Sequence, residues 1–104
     1  MKINFTKQLK DLSGNSIYEP GVKEGEQHAV TLAFVCSAAL MQGGDQQKMG
    51  WEEKLKRYEL ALKIRNAKGA IDIPVEDVTM IKKSLSVMPV LYCGQSIKMI
   101  EGNG

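Results

Sequence analysis

The chain has 104 residues, of which 43 % are hydrophobic and 25 % charged, the usage of an ordinary globular protein of one domain. Lys and Arg number 14 against 12 Asp and Glu, so the net charge is +2 with the one histidine neutral. A balance this close argues against a dedicated nucleic-acid-binding protein, which usually carries a larger and clustered positive excess.

Targeting and redox features are also limited. Residues 3–12 mix apolar with polar side chains and lack the apolar run of a secretory signal, and the apolar stretch at 30–41 is far shorter than the ~20 residues that span a bilayer. A cytoplasmic chain is therefore expected. There Cys36 and Cys93 are predicted to be free, buried thiols, and with His28 distant they make neither a zinc site nor a redox pair. No metal and no cofactor are expected.

The first 19 residues predict a β-hairpin. Ile3, Phe5 and Leu9 alternate with polar residues, as in a half-buried strand. The cluster 13–16 (SGNS) is typical of a turn, and Ile17 and Tyr18 can return as a short strand that Pro20 ends.

A buried helix is predicted over 32–41. Thr31 suits its N-cap, Gly43 and Gly44 suit its end, and the residues between leave almost no polar face. The preceding residues 28–30 are predicted to add an extended edge to the hairpin.

The longest segment without glycine or proline, 51–68, predicts a helix with two apolar sides. At roughly 100° per residue, one stripe carries Trp51, Leu55, Tyr58 and Leu62, and a nearly opposite flank carries Leu60, Ile64 and Ala67. A surface helix needs only one apolar stripe, so this helix should lie between two packing partners. The Trp51 stripe is predicted to pack on the helix at 32–41, which leaves the Leu60 flank for another element or another chain.

Two more helices are predicted after an extended segment at 71–73. Pro74 suits the start of the third helix, whose apolar stripe is Val78, Ile81 and Leu85, and Pro89 suits the start of the fourth. The predicted fold is α+β, a single domain over 1–104: an N-terminal β-hairpin at 1–19 packed on a bundle of three to four helices at 31–101.

Candidate chemistry is sparse. The acidic cluster of Asp72, Glu76 and Asp77 has a constrained backbone, but a site there would require an apolar cavity, and Glu76 and Asp77 are explained as helix N-terminal charges. His28 has no nucleophile assigned to it. The third and fourth helices have the spacing of a helix-turn-helix, but the fourth lacks the Arg and Asn that read bases. No enzyme is expected.

A basic strip on the long helix supports an alternative, a nucleic-acid-binding accessory protein. Four cations fall within roughly 80° of one another, with two aromatic rings nearby for base stacking. The simpler interpretation is a solvated rim whose aliphatic stems cover the apolar stripe. The strip consists of Lys54, Arg57, Arg65 and Lys68, and the rings are Trp51 and Tyr58.

Segments 51–61 (WEEKLKRYELA), 75–83 (VEDVTMIKK) and 93–95 (CGQ) carry a resemblance that spans most of the chain. In order and pattern the chain resembles small uncharacterised proteins of tailed bacteriophages and prophages, which open with an MKIN-like strand and contain an "EEK.KR.ELA.KI" helix. It departs from them at Ile73 and Pro74, where a Ser or Thr cap is expected. The resemblance implies a bacterial or phage cytoplasmic setting and a binding role, with no catalytic residues to transfer.

The leading hypothesis is a non-enzymatic protein-interaction module, a phage-encoded accessory or assembly factor that self-associates or binds a protein. Its predicted contact residues are Leu60, Ile64 and Ala67, with Arg57 and Lys63 as charges at the rim. No membrane partner is expected.

Overall fold

A computed structural model describes residues 1–19, 28–42 and 47–102. Along these residues the elements follow in the order β1 (Lys2–Asn4), α1 (Leu32–Gln42), α2 (Trp51–Arg65), β2 (Ala70–Asp72), α3 (Val75–Leu85) and α4 (Val90–Gly102). The predicted α+β fold is confirmed. The four helices are also present, and their bounds differ from the predicted ones by at most a few residues. The predicted strand end at Pro20 and the helix end at Gly43 and Gly44 lie outside the described residues.

The N-terminal segment reverses direction where the sequence predicts. A single bridge pairs Lys10 with Ser16, and the Asp11 carboxylate accepts hydrogen bonds from the backbone N–H groups of Ser13 and Asn15, both at 2.9 Å. Gly14 completes the reversal at φ +86°, a conformation that L side chains rarely adopt.

The ladder partner of β1 is β2 rather than the returning segment at 17–18. The two strands are antiparallel, with Ile3 opposite Ile71. Ile3 and the neighbouring Ile73 are both fully buried. The segment at 70–73 is a longer extended stretch and supplies apolar side chains to the core. It therefore pairs with β1 in preference to residues 17–18, a short stretch that is soon followed by a proline.

Residues 28–30, predicted as an extended edge of the hairpin, are extended but do not lie at an edge. The Leu9 N–H donates to the Val30 carbonyl at 2.8 Å, and the Val30 N–H donates to the Ile17 carbonyl at 2.7 Å, so this segment lies between two others. Thr31 then caps α1, because its hydroxyl accepts the Phe34 N–H at 3.2 Å, as predicted.

The core is built around α1, which contacts α2, α3 and α4. A helix with apolar residues on every side is expected to be surrounded, and most of α1 is buried. The largest fully buried side chains come from the N-terminal segment, the extended segments before α1 and α3, and every helix: Phe5, Ile3, Leu9, Leu32, Leu40, Ile64, Ile73, Ile81, Leu85, Ile100, Val30 and Val35.

The last helix, α4, ties the C-terminal part of the fold to the N-terminal segment. The Gln95 side chain donates to the Lys10 carbonyl at 2.7 Å and accepts the Lys10 N–H at 2.8 Å. The Gln95 side chain therefore makes the two hydrogen bonds with the Lys10 backbone that a residue of a neighbouring strand would make. Within α4, Ile100 is fully buried, whereas Val90, in the first turn, is 90 % exposed.

The two cysteines differ in burial. Cys36 is fully buried, and burial raises the pKa of its thiol to about 12, whereas Cys93 is only half-buried at the edge of the core. Because the thiolate is the reacting species, we expect a thiol reagent at pH 8 to modify Cys93 in the native protein and Cys36 only after unfolding. Counting thiols with and without denaturant checks this. A Cys93→Ala variant that reacts before it unfolds contradicts it.

Candidate protein-interaction surface

Helix α2 has the two apolar sides that the sequence predicts, but their roles are reversed. Leu60 and Ile64 are 6 % and 0 % exposed and pack inside the protein. The prediction that they contact another chain is therefore wrong. Ala67 is half-buried beyond the end of α2. The side that the sequence assigned to α1 instead faces solvent. We call Trp51, Leu55, Tyr58 and Leu62 the outer stripe; they are 72 %, 46 %, 50 % and 43 % exposed.

The reversal has a physical reason in Arg57. Arg57, Leu60, Ala61 and Ile64 follow the spacing of one helix face, and all four are buried. One guanidinium nitrogen of Arg57, Nη1, donates to the Ser84 hydroxyl at 2.9 Å and to the Leu40 carbonyl at 3.3 Å. A charged residue can therefore sit in this face because α1 and α3 supply its acceptors.

Arg57 and Lys63 are consequently not the rim charges that were predicted. Arg57 is 9 % exposed and joins three helices, with its Nε 3.7 Å from a Glu53 carboxylate oxygen. Lys63 is exposed, and its ammonium lies 3.5 Å from the Asp72 carbonyl, on the β2 side of α2 and away from the outer stripe.

A shallow apolar groove runs beside the outer stripe, between α2 and α1. It encloses about 290 Å³ and is open to solvent. At one edge the Arg65 guanidinium lies over the Phe34 ring, 5.8 Å from its centroid. The groove is lined by Phe34, Ser37, Ala38, Met41, Tyr58, Ala61, Leu62 and Arg65.

The groove and the outer stripe form one surface, because Tyr58 and Leu62 belong to both. Met41, at the α1 edge of the groove, is 55 % exposed. Large apolar side chains scattered singly are normal on a protein surface, whereas contiguous exposed apolar patches are typical of binding sites.

The predicted basic strip is divided by the fold. Arg57 is buried and cannot reach a phosphate, and Arg65 packs on Phe34. Lys54 and Lys68 remain exposed on α2 and just beyond it. Trp51 and Tyr58 are accessible, but the burial of Arg57 takes one of the four cations out of the strip. The structure thus gives the nucleic-acid alternative no added support.

The acidic corner is engaged in local contacts. Asp72 accepts a hydrogen bond from the amino group of Met1 at 2.9 Å, which lowers the pKa of its carboxyl, and Asp77 lies 3.8 Å from the Lys56 ammonium. Glu76 is exposed in the first turn of α3. Among the described residues no three His, Cys, Asp or Glu side chains are grouped to hold a metal ion.

Comparison of the chain with protein-family models, with curated proteins and with solved structures finds no match. In the described part of the chain, none of the helices is long and apolar enough to cross a membrane. The functional assignment therefore depends on the surface itself.

Proposed function

We propose that this protein is a non-enzymatic interaction module, of the accessory or assembly kind, that binds an amphipathic helix against the outer stripe and the adjoining groove. The carrying observation is the exposure of the outer stripe, with Trp51 and Tyr58 each at least half exposed on one side of a helix whose other side is core.

The shape and chemistry of the surface suit a helix. The groove lies between two packed helices, α1 and α2, and its walls are mostly apolar. An amphipathic helix reads such a groove through side chains at i, i+3, i+4 and i+7. Aromatic residues such as Trp51 and Tyr58 carry much of the binding energy at protein interfaces, because they bury large areas with few rotatable bonds.

The composition of the surface also argues against a small-molecule pocket. The groove is open, and the polar groups that would orient a ligand are few there: the Ser37 hydroxyl donates to the Phe34 carbonyl within α1, and Arg65 packs on the Phe34 ring. Small-molecule sites enclose most of the ligand and present several convergent polar groups.

The test is site-specific photo-crosslinking in bacterial cells that express the chain. A benzophenone amino acid replaces Tyr58, and in a parallel strain it replaces Lys98, an exposed residue on α4. We expect discrete protein adducts from position 58 and not from position 98, each identified by mass spectrometry. An adduct with another copy of the chain and an adduct with a different protein both support the proposal.

The control variant is Leu62→Glu, which places a charge in the centre of the surface. Since Leu62 is 43 % exposed, we expect the thermal unfolding midpoint to stay within a few degrees while the position-58 adducts disappear. The proposal fails if position 58 yields no discrete adduct, or if its adducts persist unchanged in the Leu62→Glu background.

A further inference from the structure

The two edges of the outer stripe carry opposite charges. The positions next to the stripe are Glu52 and Glu59 on one edge, seven residues apart, and Lys54 on the other; Lys56 and Lys63 lie farther round the helix, beyond the two glutamates. The surroundings confirm which edge is which. Lys54 lines a depression with Leu40 and Met41, on the α1 side, whereas Glu59 lines one with Asp77, on the α3 side.

The stripe and its edges also follow the heptad pattern of a two-stranded coiled coil. Leu55 and Leu62 occupy core position a of the heptad, and Trp51 and Tyr58 occupy core position d. In this register Glu59 occupies the flanking position e, and Lys54 the flanking position g. The pattern lasts about two heptads, which is short for an isolated coiled coil, but α1 widens the apolar contact on one side.

Charge decides the orientation in which two such helices can pair. In a parallel pair the axis of symmetry runs along the helices, so the acidic edge of one copy faces the basic edge of the other. Residues five apart then meet across the pair, which places Lys54 against Glu59 of the second copy, twice by symmetry. In an antiparallel pair each edge faces its own kind, so Glu52 and Glu59 face glutamates.

We infer that the helix bound by this surface is α2 of a second copy of the chain, packed parallel to the first about a two-fold axis. The inference rests on the proposed function and names its partner. Either orientation places the cores of the protomers, which lie behind Leu60 and Ile64, on opposite sides of the interface, so the flanking charges decide between the two.

Sedimentation of the purified protein at low salt tests the inference. We expect a reversible dimer, and we expect Glu59→Lys to weaken it roughly tenfold, because two attractive pairs become repulsive. Adding Lys54→Glu in the same chain should restore the affinity to within about threefold of the original. Glu76→Lys on α3 makes the same change of net charge away from the surface and should leave the dimer unchanged.

The outcomes separate the inference from the proposed function. An antiparallel dimer predicts the opposite sign for Glu59→Lys, since the introduced ammonium would then face Glu52 of the second copy and strengthen the dimer; that result overturns the parallel arrangement. A wild-type protein that stays monomeric at several hundred micromolar overturns the second copy as partner. If position 58 still forms an adduct with a different protein, the interaction function stands without it.

Discussion

Replacing Ile64 with alanine is expected to lower the free energy of unfolding by about 2–5 kcal/mol, the usual cost of emptying a buried branched site. Ile64 is 0 % exposed and lies in the main core cluster. Truncating its side chain therefore leaves a cavity that solvent does not reach. A domain of this size has on the order of 5–15 kcal/mol in total, so the thermal midpoint should fall by about 10 °C or more. Denaturant unfolding followed by circular dichroism measures the change.

Leu62 provides the matched control for Ile64. It lies two residues earlier on the same helix but faces the outer stripe, where it is 43 % exposed. Leu62→Ala should cost less than about 1 kcal/mol when both variants are measured at concentrations that keep the chains apart. Equal losses at the two positions would show that the outer stripe is core as well, and the surface proposed for binding would be lost.

Replacing Arg57 with alanine is expected to cost about 2–4 kcal/mol, although charged residues on helices are usually replaced at little cost. The guanidinium donates to the Leu40 carbonyl in the last turn of α1, where helix carbonyls need donors from outside the helix. It also donates to the Ser84 hydroxyl, which in turn donates to the Met80 carbonyl. The substitution takes this donor away from the Leu40 carbonyl and empties space between three helices.

Two comparisons make the Arg57 experiment specific. Arg65→Ala removes the same kind of side chain from the same helix, where it only covers the Phe34 ring, and should cost less than about 1 kcal/mol. A double-mutant cycle of Arg57→Ala with Ser84→Ala should show a coupling of about 1 kcal/mol. Purely additive losses would mean that the hydrogen bond between them does not contribute to stability.

The helices were accessible to prediction because their signals are local. Thr31 caps α1 through its own side chain, Gly50 precedes α2, and Pro74 and Pro89 stand directly before α3 and α4. Each of these residues acts on backbone groups within a few positions of itself, so one sequence suffices to locate the helix ends.

Which side of α2 is buried could not be predicted from such local signals. The pattern of Arg57, Leu60, Ala61 and Ile64 was present in the sequence, but a charged residue counts against burial unless its partners are known. Those partners lie 17 and 27 residues away, on two other helices. The pairing of β1 depended likewise on a segment almost 70 residues later, whereas the hairpin signal was close by.

The two hydrogen bonds between Gln95 and the Lys10 backbone join positions that are 85 residues apart in the chain. Residue 10 leaves the ribosome 85 residues before residue 95, so the amide and carbonyl of Lys10 meet this partner only after the chain between them has been synthesised. The same delay applies to α1, whose apolar sides are covered by helices synthesised after it. The nascent chain therefore passes through an interval in which its most apolar helix is uncovered, and this part of the native structure is completed only after α4 has been synthesised.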